Sequence, residues 1–549
     1  MRAYFLRRIP ARAGVFLLSS SRRRFLQQAS ALGLLYGSSR ALSAQMAMQK
    51  QARPNAPDSK FPMLHTLDLT PFVDPLPLPQ IARPALHNGK RSLTVTMQEV
   101  HAKVHRDVPA TRQWSYGPGA LAPLIEARSG EPLEIQWVNN LPTRHFLPVD
   151  HSLHGCGKDV PEVRAIAHLH GAKVPSKDDG YPEDWFVPGK SRTCHYPLDQ
   201  EATALWYHDH AMGLNRLNTY AGLFGMFLVR DQVEDSLHLP SGKYEVPLIL
   251  YDRDFTSDGQ LFYGTSGDPE HPWIPEFSAD GLLVNGKIHP FFEVEPRLYR
   301  FRVVNVANSR FFNLSLSNGA PLVQIGTDQG FLPAPARPRF VSLAPAERAD
   351  LLVDFSHSAG ETFYLNTGPT KLMQFRVAAS AAGGPSFSIP KTLRPIQRTP
   401  ESSATNTRTL TLHDYKDKYD QSMIMLINRK HWHEPTTEFP KLNSTEIWEF
   451  VNLTDDTHPM HMHLVRFQLL DRRAFDTEEY LRNKKVRYTA AAALPEPYEL
   501  GWKDTIQCPD SMITRVIVKF DGYVGKYLYH CHILEHEAND MMRPFEVIA

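Results

Sequence analysis

Histidines two residues apart recur along this chain, and they constrain its fold more than any other feature. Four such pairs are His168-Leu169-His170, His208-Asp209-His210, His461-Met462-His463 and His530-Cys531-His532. On an extended strand, residues two apart share a face, so each pair offers two imidazoles on one side. A single pair of this kind is often two hydrogen-bonded histidines in a polar pocket. Four of them in one chain point instead to bound metal, and to strands that carry them together.

The surrounding sequence has the period that strands need. In Leu133-Glu134-Ile135-Gln136-Trp137-Val138, the residues Leu133, Ile135 and Trp137 share a face. In Leu298–Val304, Tyr299, Phe301 and Val303 face one way and Arg300 and Arg302 the other, which predicts a half-buried strand. Gly, Pro, Asn and Asp interrupt such runs throughout, as β-sandwiches require. A strand ending in valine and asparagine recurs as Val138-Asn139-Asn140, Val304-Asn305-Val306 and Val451-Asn452-Leu453. Apolar closing strands recur at Gly225–Val229, Gln374–Val377 and Pro544–Ile548. Three similar sandwiches account for the length, over residues 60–240, 241–378 and 408–549. The stretch 379–407, rich in Ala, Gly, Ser, Pro and Thr, reads as a linker over the surface.

Composition narrows the function classes. Lysine plus arginine balances aspartate plus glutamate, 60 against 59, so charge gives no reason to expect nucleic acid or an anionic membrane as partner. No segment of the mature chain approaches the roughly 18 apolar residues of a spanning helix. Residues 1–44 read as a removable export signal. Arg22, Arg23 and Arg24 precede Phe25 and Leu26, an apolar stretch runs from Ala29 to Tyr36, and small residues surround Ala41-Leu42-Ser43-Ala44. The order resembles the twin-arginine type, so the expected location is periplasmic or secreted. An oxidising compartment permits a disulfide. Once Cys531 is set aside as a metal ligand, Cys156, Cys194 and Cys508 remain, Cys156 with Cys194 is a candidate pair, and the pairing stays open.

The fourth histidine cluster is the most specific. Cys531, His536 and Met541 are evenly spaced, and one loop can bring thiolate, imidazole and thioether onto a single ion. With a second imidazole this is the donor set of a mononuclear blue-copper site. His458 supplies it most naturally, because it stands apart from His461 and His463. Zinc also takes Cys and His, but a structural zinc prefers four strong ligands and gains little from methionine. Met460 and Met462 have no such spacing and read as packing residues. If the segment is extended, His530 and His532 point away from the Cys531 sulfur, each joined to it by a short covalent path. His168, His170, His208, His210, His461, His463, His530 and His532 are then available to a second metal group.

These motifs resemble multicopper oxidases, and within them bacterial laccases of the spore-coat type and their bilirubin-oxidase relatives. Further likeness lies in Asp179-Gly180-Tyr181-Pro182-Glu183, Val284-Asn285-Gly286-Lys287 and Gly501-Trp502-Lys503-Asp504-Thr505. The export signal departs from a spore-coat protein. The resemblance implies an all-β chain of three cupredoxin-like Greek-key β-sandwich domains that binds four coppers. By motif, type 1 copper takes His458, Cys531, His536 and Met541, and type 2 takes His168 and His461. The type 3 pair takes His170, His208, His210, His463, His530 and His532. The trinuclear group is expected between the first and third domains, with the second as spacer and part of the substrate wall. Dioxygen reduction consumes protons. Glu537 matches the family's proton-relay glutamate, and Asp179 its carboxylate behind the copper ligands.

The leading expectation is a laccase-type oxidase that couples one-electron oxidation of phenols or aromatic amines to four-electron reduction of dioxygen to water. A cuprous or ferrous ion oxidase is the alternative, and the scattered methionines, with no methionine-rich insertion, favour the organic substrate. A non-catalytic exported scaffold is a third reading, opposed by the complete ligand set.

Overall fold

The computed structural model describes residues 62–549 apart from 270 and 382, so the segment read as an export signal lies outside the described residues. Among the described residues no helix is long and apolar enough to cross a membrane. Strands dominate, and they form six sheets, two in each third of the chain.

The recurring valine-asparagine signature has a structural cause. Asn139, Asn305 and Asn452 stand at the ends of the strands Leu133–Asn140, Leu298–Asn305 and Thr445–Asn452, each without solvent exposure. Each side-chain oxygen accepts from the backbone N–H two residues on, at Leu141, Ala307 and Thr454. Each side-chain amide donates across the sandwich, to Phe186, Leu343 and Cys508 carbonyls respectively. A short amide that closes its own turn and pins the opposite sheet is a use few other side chains can serve.

The pairing around these strands repeats as well. Each runs parallel to the first long strand of its unit, Lys90–Ala102, Glu245–Phe255 and Asn406–Lys416. Each then pairs antiparallel with a later strand, Ser191–Tyr196, Arg348–Asp354 or Met512–Lys519. In the facing sheet, Phe224–Arg230, Thr370–Val377 and Met542–Val547 close against Thr203–Asp209, Thr362–Thr367 and Gly525–Cys531. Trp137, Phe301 and Trp448 lie in the buried layers between the sheets. Among the described residues of 378–405 there is no strand, yet this stretch is fastened rather than loose. Leu393 is buried with its N–H on the Pro333 carbonyl, and the Thr399 N–H donates to Gln468.

One sequence expectation changes. Leu298–Asn305 is not half-buried, because both of its faces are covered. Arg300 and Arg302, 2 % and 3 % exposed, enter a buried ion cluster with Glu234, Glu245 and Asp350, which Arg230 completes. Alternation signals which side chains share a face, and the charged face is buried here because every cation finds carboxylates. The cysteine pairing, open in the sequence, is answered here: Cys156, Cys194, Cys508 and Cys531 are all free and buried.

Removing one partner from such a cluster leaves carboxylates buried without their counter-charge. Arg302→Leu is expected to destabilise the fold by about 3–5 kcal/mol. A calorimetric unfolding transition at the wild-type temperature would contradict this.

Candidate metal centre

Two strands from the first sandwich and two from the third carry the histidine pairs, and the registers align them. In Ala167–His170 against Thr203–Asp209, His168 lies opposite His208. In His458–Met462 against Gly525–Cys531, His461 lies opposite His530 and Met460 opposite Cys531. All eight paired histidines are essentially unexposed. The two halves meet ring to ring: His170 stacks on His461 at 3.7 Å and His168 on His463 at 4.0 Å. Ligating nitrogens within 4.8 Å of one another form the triads His168/His461/His463, His168/His170/His208 and His210/His463/His530. His532 joins the cluster 5.0 Å from His170 and 5.2 Å from His208, between ring centres.

Hydrogen bonds fix which nitrogen of each ring faces inward. The Nδ1–H groups of His168, His208, His461 and His530 donate to the carbonyls of Asp179, Asp209, Asp504 and Cys531. His463 donates from Nδ1 to Asp179 Oδ2 at 2.7 Å. His170 is reversed, its Nε2–H on Asp504 Oδ1 at 3.1 Å, so that Nδ1 is left free. What remains is a set of buried nitrogens without hydrogen-bond partners: Nε2 of His168, His208 and His461, Nδ1 of His170 and His210, and both nitrogens of His532. Orphaned acceptors aimed at a common interior cost free energy unless something binds them. Neutral imidazoles with their far nitrogen held by carbonyl or carboxylate are the usual form of metal-bound histidine. Burial, reinforced by neighbouring imidazoles, holds His168, His170, His208, His461 and His463 well below the usual histidine range, and His532 is lowered to about 3. These six rings are therefore held neutral and ready for cations.

A second centre adjoins it. His458 Nδ1 and His536 Nδ1 lie 3.5 and 3.6 Å from Cys531 Sγ, and the three form another ligating triad. Met541 is fully buried in the same core, its carbonyl accepting from Cys531 N–H. Met460 and Met462 pack in that core, in keeping with their reading as packing residues. Burial pushes the Cys531 thiol well above its ordinary value and lowers His458 to about 3, a pair that a bound cation would drive to thiolate and neutral imidazole. Thiolate, two imidazoles and a thioether fit copper, and the histidine-only cluster suits it equally.

Both sequence-predicted carboxylates lie inside the site. Glu537 is 1 % exposed, 3.4 Å from His210 Nε2 and 3.2 Å from His530 Nδ1. Asp179 touches His463 and lies 3.6 Å from His168 Nδ1, and burial raises its carboxyl well above the usual range. Gly180 makes that approach possible: at φ +83° it lies so near the Ala167 carbonyl that a Cβ would sit 2.6 Å from the oxygen.

Sequence reasoning missed Asp504 as a functional residue. Its Oδ1 accepts from His170 and its backbone carbonyl from His461. Arg348, from the second sandwich, grips both carboxylate oxygens, and Gln329 donates to Oδ2 at 2.6 Å. Burial alone would raise this carboxyl, but the Arg348 charge and the hydrogen bonds bring it below the ordinary range. Gly171 leaves the space, since a Cβ there would lie 2.5 Å from Asp504 Oδ2. The only available signal was Gly501–Thr505, noticed for its family likeness rather than for chemistry.

Sandwiches of this kind, holding one thiolate-centred and one polyhistidine site, define a copper oxidoreductase. The multicopper oxidase family models match residues 161–234 and 402–549. The chain is 43% identical over 511 residues to a laccase of Bacillus subtilis, covering 88% of this chain and 99% of that protein. A laccase of Bacillus stratosphericus is 42% identical over 88% of this chain and all of its own length. Among solved structures, the McoA multicopper oxidase of Aquifex aeolicus superposes with a TM-score of 0.72 at 27% identity, covering 88% of this chain and 100% of that one. The chain belongs to the multicopper oxidase family: it is a copper-dependent oxidoreductase with dioxygen as acceptor, built of cupredoxin-like sandwiches, and its cofactor is four coppers, one type 1, one type 2 and two type 3.

Loosening Asp504 should empty the polyhistidine site before the thiolate site. Asp504→Asn and Arg348→Gln are each expected to weaken copper binding there by about 10–100-fold while the blue absorption persists. A full copper complement in both variants, measured by atomic absorption, would show that the pair does not position His170.

Proposed function

We propose that this enzyme is laccase-type, taking single electrons from phenols or aromatic amines and reducing dioxygen to water. The observation that carries the proposal is the short covalent link His530-Cys531-His532 between the two centres. Extended identity to two Bacillus laccases supports the choice of organic reductant. On this reading His458, Cys531, His536 and Met541 hold type 1 copper, His168 and His461 type 2, and His170, His208, His210, His463, His530 and His532 the type 3 pair. When bound, copper supplies one-electron acceptance at the thiolate site and dioxygen reduction at the histidine site.

The protein groups orient and supply protons. Glu537 stands between His210 and His530 and can hold a proton at its carboxylate there. Asp179 keeps His463 in one tautomer. Export by the twin-arginine route is part of the same proposal and rests on Arg22–Arg24 and the residues up to Ala44.

A second reading, oxidation of a metal ion, has a specific observation in its favour. Both imidazoles beside Cys531 are fully buried, which leaves an aromatic ring no edge to touch. Burial, then Asp456 and Glu535, raises Glu276 to about 8, and burial, then Asp414, raises Asp456 to about 6. Such crowded carboxyls accept a cation readily.

Dioxygen uptake by the copper-loaded enzyme separates the two, with a methoxyphenol compared against Cu(I) and Fe(II). Faster uptake with the phenol is the expected outcome, and faster uptake with either ion would make it a metal oxidase. Cys531→Ser is expected to abolish the blue absorption and substrate oxidation while the fold remains. Persistence of that absorption would remove Cys531 from the copper site.

A further inference from the structure

A fifth histidine pair, His431-Trp432-His433, lies outside the copper centres, at the seam between the first and third sandwiches. Its loop packs against the first sandwich, where Trp432 Nε1 donates to Glu183 at 3.0 Å and the ring meets Tyr181. His154, from a first-sandwich loop, completes a column of imidazoles. The ring centres of His154 and His433 are 5.8 Å apart with planes 8° from parallel, and those of His433 and His431 are 5.6 Å apart at 18°.

We propose that His154, His431 and His433, with Asp540 behind His431, form a surface site for one imidazole-preferring divalent transition cation of the Zn2+, Ni2+ or Cu2+ class. His431 donates from Nδ1 to Asp540 Oδ2 at 2.8 Å, which leaves Nε2 as a lone-pair donor facing outward. Carboxylate, imidazole and metal in that order is the arrangement that fixes a ligating histidine. Asp540 is itself built in: its side chain is 7 % exposed, its other oxygen is buried without a partner, and its backbone sits at φ +69°. His431 remains 44 % exposed and His433 is exposed, so an ion can arrive from solvent.

Spacing and rigidity agree with a shared ion. With a metal–nitrogen distance of about 2.0–2.1 Å, two imidazoles on one ion hold their ring centres roughly 5 Å apart. The His458–His536 and His168–His461 pairs, each read as sharing one copper, lie at 5.1 and 6.0 Å, a range that includes both spacings of the column. Buried Arg543 donates to the carbonyls of His431, Trp432, Glu434 and Pro435, which holds the loop in place. On the other side, Arg164 donates to the carbonyl of Gly155, next to His154. Imidazole donors without a thiolate select zinc, nickel or cupric ions over harder cations. The bound ion would clasp the same two sandwiches that share the polyhistidine centre.

The test is a calorimetric titration of Zn2+ into untagged, copper-loaded enzyme, with the blue absorption followed to show that copper stays bound. One Zn2+ per chain is expected. The affinity should fall at least tenfold in His154→Ala and in His431→Ala/His433→Ala, and severalfold in Asp540→Asn, all with wild-type blue absorption. Zinc uptake no greater than that of His154→Ala/His431→Ala/His433→Ala would overturn the site. Unchanged affinity in His154→Ala would equally overturn it, since the two sandwiches would not then share the ion.

Discussion

Imidazoles buried this closely side by side are stable only as neutral rings that keep one nitrogen paired wherever the fold supplies a partner, and the architecture follows from that requirement. Charged rings this close would repel one another in a medium that screens poorly. Neutral rings with both nitrogens unpaired would forfeit hydrogen bonds on burial. The solution is local wherever possible. His208 and His530 donate to the carbonyl of the residue that follows each of them, and His168 and His461 to the carbonyls of Asp179 and Asp504. Strand geometry aims the rings and strand backbone anchors them, which is why a β-sandwich suits the task.

The sandwich is used three times with one wiring, and among the described residues only two copies carry the clustered histidine pairs. Thr203–Asp209, Thr362–Thr367 and Gly525–Cys531 occupy corresponding places, each paired with the closing strand of its unit. The first holds His208 and the last His530 and Cys531, while the middle one reads Thr-Phe-Tyr-Leu-Asn-Thr. Its sandwich acts from outside the ligand set. Arg348 and Gln329 fix Asp504 beneath the polyhistidine site. Tyr263, Asn308 and Ser309 all donate to buried Glu535, which precedes His536 in the short helix Leu534–Ala538. Trp273 donates to the carbonyl of the same residue.

What could be read from the sequence was local in sequence. The histidine pairs, the even spacing of Cys531, His536 and Met541, and the terminal asparagines each declare themselves within a few residues, because strand period and turn chemistry act at that range. Asp504 could not be found this way: its value comes from Arg348, 156 residues away, and from a tautomer choice at His170. The buried face of Leu298–Asn305 was hidden for a related reason, since Arg300 and Arg302 look like solvent-facing residues until Glu234, Glu245 and Asp350 are placed beside them. His431-Trp432-His433 has the spelling of the other pairs, but its companions His154 and Asp540 come from distant parts of the chain.

That contrast bears on how the electron-entry side works. Groups that hold metal are specified by short motifs, whereas groups that cover the metal arrive from other sandwiches. His536 is buried and hydrogen-bonds the backbone of Pro275, and the segment around Trp273 and Phe277 is tied down further through Ser309 and Glu535. Thr454 contacts His458 Nε2 at 2.7 Å from the opposite side, beside Asp455 and Asp456. What a reductant meets on this side is therefore set by residues outside the histidine and cysteine motifs.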